Sequence, residues 1–266
     1  MSTESWAVAA PQTIEVEGVA GVDLRLQGGR AEVVADPAAT GARVEVLELS
    51  EKPLQVSRDG DRLRIGYESS WFDSVVARVK SPRHGERAVV RVVVPSDVAV
   101  DAGTVDADVE VSGSRRVAVR TATGAVRTSG TTGPMSVKTV SGDVAASDHT
   151  GDLSASVVSG RVSLAGTLGR VSLTTVSGAV TVSALSANPM ITARTVSGAL
   201  DVRLPAGTPV NVKVRGASGQ VVLDGSVLPS SGATLVVDHT EPPAEGAAAA
   251  YLSATVTNAH VTIDRR

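Results

Sequence analysis

Between residues 117 and 223 apolar and polar residues take turns in short, even runs. One series reads Val117-Val119-Thr121, Met135-Val137-Thr139, Leu153-Ala155-Val157, Val171-Leu173-Thr175 and Ile191-Ala193-Thr195, each at every second position. A second series, offset by about half a period, reads Val126-Thr128, Val144-Ala146, Val162-Leu164, Val180-Val182, Leu200-Val202 and Val221-Leu223. The residues between them are small, hydroxylated or charged, Arg120, Lys138, Ser156, Thr174 and Arg194 among them. Alternation with a period of two over about five residues predicts a strand buried on one face only.

The two series are joined by a recurring corner. It is Thr139-Val140-Ser141-Gly142, then Val157-Val158-Ser159-Gly160, Thr175-Val176-Ser177-Gly178 and Thr195-Val196-Ser197-Gly198. Degenerate copies lie at Thr121–Gly124 and Gly216–Gly219. The glycines Gly124, Gly142, Gly160, Gly178, Gly198 and Gly219 recur at intervals of 18 to 21 residues. Two strands and two turns per interval make one coil, which cannot bury its own apolar face and must stack on its neighbours. The expected fold is all-β: a β-solenoid, that is, a flattened parallel β-helix of about 18–21 residues per coil, with less regular β-rich flanks. Gly124, Ser141, Gly142, Ser159, Gly160, Ser177, Gly178, Ser197, Gly198 and Gly219 are its turn residues, with glycine where a sharp bend leaves no room for a Cβ. The corner valines are expected to turn into the core.

The flanks alternate less cleanly. Val22-Leu24-Leu26, Ala31-Val33, Val44-Val46, Leu54-Val56 and Leu63-Ile65 predict strands, with a bulge where the apolar phase shifts after Val46. Arg58–Asp61 reads as a hairpin turn. The expected organisation is a disordered 1–10, a β-rich region 11–102 continuous with or capping the coils, regular repeats over 103–225, and C-terminal strands and a cap over 226–266.

Composition narrows the function. The chain has 266 residues, 42% hydrophobic but only 2% aromatic, no cysteine, and a net charge of -3. Small and β-branched residues suit thin stacked strands. The charge offers no bulk attraction to nucleic acid. The start of the chain lacks a basic region followed by an apolar run, and no apolar stretch reaches membrane-spanning length. The expectation is a cytoplasmic protein with no nucleic-acid partner and no direct membrane insertion.

The Val-Ser-Gly-x-Val/Leu units at 140–144, 158–162, 176–180 and 196–200, with their Val-, Thr- and Ser-rich strands, resemble the bacterial DUF4097 family, the toastrack or adhesin-type β-strand repeats. The resemblance implies a β-strand-repeat scaffold, joined in some members to membrane-stress modules of the phage-shock or Lia type. It implies no catalytic residues.

The candidate chemistry is sparse. Asp106, Asp108 and Glu110, with Asp101 nearby, alternate on one strand and could form a Ca²⁺ patch, but read better as a solvated face. His84, His149, His239 and His260 lie in separate segments and read as surface or turn residues. Serines that recur in every coil are structural, because a catalytic serine is singular and sits beside a base. Arg120, Lys138, Arg194 and Arg215, with Arg116, Arg170 and Lys213 near them, form a weakly basic stripe that keeps a face solvated. No catalytic residue, cofactor or metal is expected. Tyr67, Trp71 and Phe72 are the one aromatic cluster and the expected partner contact. The function expected is a non-enzymatic scaffold for protein partners yet to be identified, monomeric or a small homo-oligomer. Two alternatives stay open. One is a self-assembling filament like the bactofilins, which the irregular flanks argue against. The other is a carbohydrate-binding β-helix.

Overall fold

In the computed structural model, residues 3–50, 52–67, 86–231, 234–242 and 248–266 are described. Every regular element among them is a strand. The chain divides into two compact units, Met1–Gly142 and Asp143–Arg266.

The first unit holds β1 (Thr3–Val8), β2 (Gln12–Glu17), β3 (Gly21–Ala35), β4 (Gly41–Leu49), β5 (Leu54–Asp59), β6 (Arg62–Gly66), β7 (Arg87–Val94), β8 (Ala99–Ser112), β9 (Arg116–Thr121), β10 (Val126–Ser129) and β11 (Met135–Ser141). Two pairing paths run through it. One is β1-β5-β6, then the first half of β3, the first half of β8, β9 and β11. The other is β2-β4-β7, then the second halves of β3 and β8, then β10. The outer pairs are antiparallel, with only β5 and β6 joined directly by a hairpin; from β6 and β7 inward the pairing is parallel and in register. β3 and β8 serve both paths because each turns a corner in mid-strand, at Gln27–Gly29 and at Gly103–Val105, where burial breaks its alternation. Gly29 has φ +111°, and a Cβ there would stand 2.0 Å from the Ala88 carbonyl oxygen. Only glycine fits that approach. The bulge expected after Val46 is present, as a register shift between Val46 and Glu48. The Arg58–Asp61 turn closes the β5–β6 hairpin. Residues 3–8, expected to be disordered, instead form β1 and pair with all six positions of β5. Trp6 and Val8 lie opposite Val56 and Leu54, and the burial of Val8 adds to the strand pairing that holds the segment.

The second unit holds β12 (Val144–Ser159), β13 (Val162–Ala184), β14 (Met190–Leu204), β15 (Val210–Leu223), β16 (Ser226–Val227), β17 (Leu235–Thr240) and β18 (Ala250–Arg265). β12, β13 and β14 stack in parallel, one repeat apart, with Ser159 opposite Ser177 and Ser177 opposite Ser197. The inward columns read from sequence are buried throughout, from Val144 and Leu153 to Leu200 and Val214. Each fully buried valine or leucine is worth about 1.5–3 kcal/mol against leaving it in water.

The stacking order then departs from the chain order. β15 does not follow β14. The C-terminal strand β18 lies between them, parallel to both, with Leu200 opposite Val261 and Val261 opposite Val221. Residues 226–266 are therefore not simply a cap, and the repeats to 225 are not an uninterrupted stack. β18 carries the inward pattern Leu252-Ala254-Val256, then Val261-Ile263, all buried. That pattern qualifies it as a full layer. The outermost strand is β17, antiparallel to β15. Its exposed edge is blunted: the Ser231 amide donates to the Val236 carbonyl (2.9 Å), and the Val236 amide donates to Ser230 Oγ (3.0 Å).

Arg265 fastens the inserted strand. Its Nη1 donates to Glu241 Oε2 (2.6 Å) and to the Thr208 carbonyl (3.1 Å), and its Nε donates to Asp224 Oδ2 (2.7 Å). Three segments, at 208, 224 and 241, are thereby tied to the end of β18. Hydrogen bonds from Arg265 hold the Asp224 carboxyl below its ordinary value, against a smaller effect of burial. Burial opposes ionisation of Glu241, yet hydrogen bonds from Arg265 and the Val210 amide hold it low as well.

Candidate functional site

The repeated corner has a fixed assignment of directions. In β13 and β14 the threonines Thr175 and Thr195 are buried, and each Oγ1 donates to the carbonyl two residues on, of Ser177 (3.4 Å) and Ser197 (3.3 Å). Ser177 Oγ donates to the Val158 carbonyl and Ser197 Oγ to the Val176 carbonyl, one layer back. Gly198 has φ +129°, and a Cβ there would lie 2.0 Å from the Gly178 carbonyl oxygen. The corner serines are thus engaged with the backbone, a structural role for their hydroxyls.

The valines point the other way. Val158, Val176 and Val196 are 46%, 45% and 48% exposed, and Val140 in the first unit is 53% exposed. The expectation that they enter the core is corrected. Period-two alternation gives the inward place to the preceding threonine or Val157, so its neighbour must face solvent. In the second unit the three valines form a ladder along one edge, about 4.8 Å apart as layers stack.

The other candidates fall as follows. Tyr67 is 2% exposed, and its hydroxyl donates to the Arg87 carbonyl (2.8 Å) beside Ser50 Oγ (3.3 Å). It is a packed residue and not an exposed contact, because a hydroxyl that closes a backbone carbonyl allows the ring to be buried. Burial also pushes the pKa of its hydroxyl above the ordinary value. Trp71 and Phe72 lie outside the described residues, as does His84. His149 is fully buried, contrary to the expectation of a surface or turn residue. It follows Asp148, whose φ of 53° lets β12 turn inward there, and its Nε2 lies 3.4 Å from the Asp152 carbonyl oxygen. His239 is half-buried against Glu241, and His260 is exposed.

Of the acidic row, Asp106 accepts from Thr123 Oγ1 (2.9 Å), Asp108 from the Ala125 amide (2.9 Å), and Glu110 from Arg30 (2.7 Å). Each is occupied by a neighbouring layer. In the basic stripe, Arg120 meets Asp101, and Lys213 lies 3.9 Å from Asp238. Arg194 and Arg215 have no acidic partner among the described residues. Described residues of the first unit line two recesses. One, of about 470 Å³, is lined by Gly29, Arg30, Glu48, Leu49 and Ser50 with residues 87–89. The other, of about 690 Å³, is polar and lined by Glu4, Glu15, Glu17, Asp36, Arg43 and Arg58 among others.

Sequence reasoning missed one recurrent device. Asp143 Oδ1 accepts the Arg161 amide (2.8 Å), Asp152 Oδ1 the Arg170 amide (2.8 Å), and Asp224 Oδ1 the Arg265 amide (3.0 Å). Each aspartate closes a corner amide of the next layer. An Asp followed 18 residues later by a basic residue is the signal that could have found the first two.

A profile of the Toastrack DUF4097 family matches residues 23–234. The chain belongs to that family. The Toastrack match ends before β17 and β18, so the inserted strand lies beyond the matched span. A candidate lipid-binding protein from Parabacteroides distasonis has a similar structure, with a TM-score of 0.52 at 13% identity, covering 98% of each chain. A candidate adhesin from Bacteroides fragilis aligns over 99% of this Toastrack chain and 97% of its own, with a TM-score of 0.38 at 12% identity. At these identities the first supports the fold alone. No curated protein matches.

Proposed function

We propose that the chain is a non-enzymatic binding module: a β-solenoid whose stacked layers hold side-chain columns at fixed spacing for a protein partner. The in-register parallel pairing of β12, β13, β14, β18 and β15 supports the solenoid reading. The observation that carries the function is the valine ladder Val158–Val176–Val196, about half exposed at the same corner of three successive layers. Exposed large apolar side chains in a row are a cost to solubility that a covering partner removes. Catalysis has no counterpart to this: the repeated serine hydroxyls donate to backbone carbonyls. The filament alternative needs an open terminal edge, and the β17 edge is partly closed by Ser230 and Ser231.

The test is quantitative co-purification with the wild type and with a Val158→Thr, Val176→Thr, Val196→Thr variant. Threonine keeps the shape and β-propensity and removes the apolar surface. Loss of a specific partner from the variant, with an unchanged melting profile, is the expected result. An identical partner set would sink the assignment.

A further inference from the structure

One outward face of the second unit combines an excess of basic side chains with a field of free hydroxyls. It is formed by the residues that alternate with the inward column of β12, β13, β14, β18 and β15. Ser172 lies opposite Thr192 and Thr192 opposite Ser253; Thr174 lies opposite Arg194, Arg194 opposite Thr255 and Thr255 opposite Arg215. These side chains point to solvent, and Thr174, Arg194, Thr255 and Arg215 are exposed. Unlike the corner serines, their hydroxyls make no hydrogen bond among the described residues.

The charge on this face is uncompensated. Arg170, Arg194, Lys213 and Arg215 stand on it against Asp152 and Asp238. Lys213 is near Asp238, and Asp152 is held by the Arg170 amide. Arg194 and Arg215 are left without an acidic neighbour among the described residues. The opposite face of the same layers carries Asp143, Asp201 and Asp264 alongside Arg161 and Arg203. In the first unit several outward arginines are paired across layers, as in Arg25–Asp101, Arg30–Glu110 and Arg91–Glu32. Solubility alone is served by either arrangement. An unpaired pair of guanidinium groups in a field of free hydroxyls is suited to an anionic ligand that also carries hydroxyls.

We infer that this face binds an acidic polysaccharide. Arg194 and Arg215 are two layers apart in one column, about 9.6 Å at the usual strand spacing. That separation suits carboxylates on alternate sugars of an extended 1,4-linked chain. Guanidinium groups grip carboxylates through two parallel hydrogen bonds, while the serine and threonine hydroxyls exchange hydrogen bonds with those of the sugars. A nucleic acid fits less well. Single strands are held by successive aromatic platforms, and this face has one aromatic, the half-buried Tyr251 at its rim. This surface adjoins the valine ladder, Val196 standing two residues after Arg194, but the two are probed by different substitutions, and failure here would leave the protein-binding reading intact.

The experiment is titration of the full chain with polygalacturonate, with dextran as a neutral polymer and with an oligothymidylate as a non-glycan polyanion. The same polymers are titrated into an Arg194→Gln, Arg215→Gln variant and a control Arg161→Gln, Arg203→Gln variant. The expected result is binding of polygalacturonate that weakens with salt, at least tenfold loss in the first variant and less than twofold in the control. Dextran should not bind. Absence of polygalacturonate binding by the wild type overturns the inference. So does equal loss in both variants, or oligothymidylate binding as tight as polygalacturonate, which marks general attraction to polyanions.

Discussion

Two neighbouring interfaces in the second unit are built from different sequences and reach the same geometry. Between β13 and β14 every repeat feature is present: Thr175 on Thr195, Ser177 on Ser197, Gly178 on Gly198. Between β14 and β18 the register continues with Thr195 on Val256, Ser197 on Asn258 and Gly198 on Ala259. The motif is gone and the layer remains. What the two interfaces share is the inward column, Val171-Leu173 and Val180-Val182 in one, Leu252-Ala254 and Val261-Ile263 in the other. The buried column therefore makes a layer, and the Thr-Val-Ser-Gly corner is one way to turn it. Gly178 and Gly198 turn with positive φ, whereas Ala259 turns without it.

That difference can be broken first at the corner. Gly198→Ala should be the most damaging single change, because its Cβ would meet the Gly178 carbonyl at 2.0 Å in a left-handed conformation. More than about 4 kcal/mol of destabilisation is expected in chemical denaturation. Ala259→Gly, at the equivalent position of the inserted layer, should cost less than about 1 kcal/mol. Next, Leu200→Ala should lower stability by about 3 kcal/mol through the cavity it leaves between β13 and β18. Val196→Thr, four residues earlier and exposed, should stay within about 0.5 kcal/mol.

The clamp on the inserted strand sharpens the comparison at a smaller scale. Arg265→Met should cost about 1–2 kcal/mol at neutral pH, allowing for partial solvent screening. Asp224 and Glu241 are held below their ordinary values of 3.8 and 4.5. Their contribution is complete above those values and fades as pH falls through the lowered ones. The wild type should accordingly lose melting temperature below about pH 4, and Arg265→Met should flatten that slope.

Much of the frame was legible in the sequence, because burial of alternate residues is a two-residue signal that survives without any partner. Leu153, Leu173, Val182 and Val202 are where alternation put them. The direction of the corner valines was misjudged by following hydrophobicity over phase: Thr195 is the inward residue, and Val196 the outward one. The position of β18 was hidden for another reason. Its Asn258-Ala259 corner lacks the glycine that marks the repeat, and a strand's neighbours in a parallel stack are set by register across the whole unit, not by chain order. Of the candidate sites, the burial of Tyr67 depends on the Arg87 carbonyl 20 residues away, which no local pattern reveals. The unpaired state of Arg194 and Arg215 likewise follows from which strands adjoin β18.

The placement of β18 between β14 and β15 underlies the stacking order, the outward face and the role of Arg265. The chain has no cysteine, so introduced pairs report contacts without background. Thr192 lies opposite Ser253, and Lys213 lies opposite Ser253 from the other side. A Thr192→Cys, Ser253→Cys variant should form an intramolecular disulfide on mild oxidation. A Thr192→Cys, Lys213→Cys variant should not, since two strand spacings exceed the roughly 7 Å that a disulfide can bridge. Cross-linking of 192 to 213, with none from 192 to 253, would place β15 directly on β14 and contradict the inserted layer.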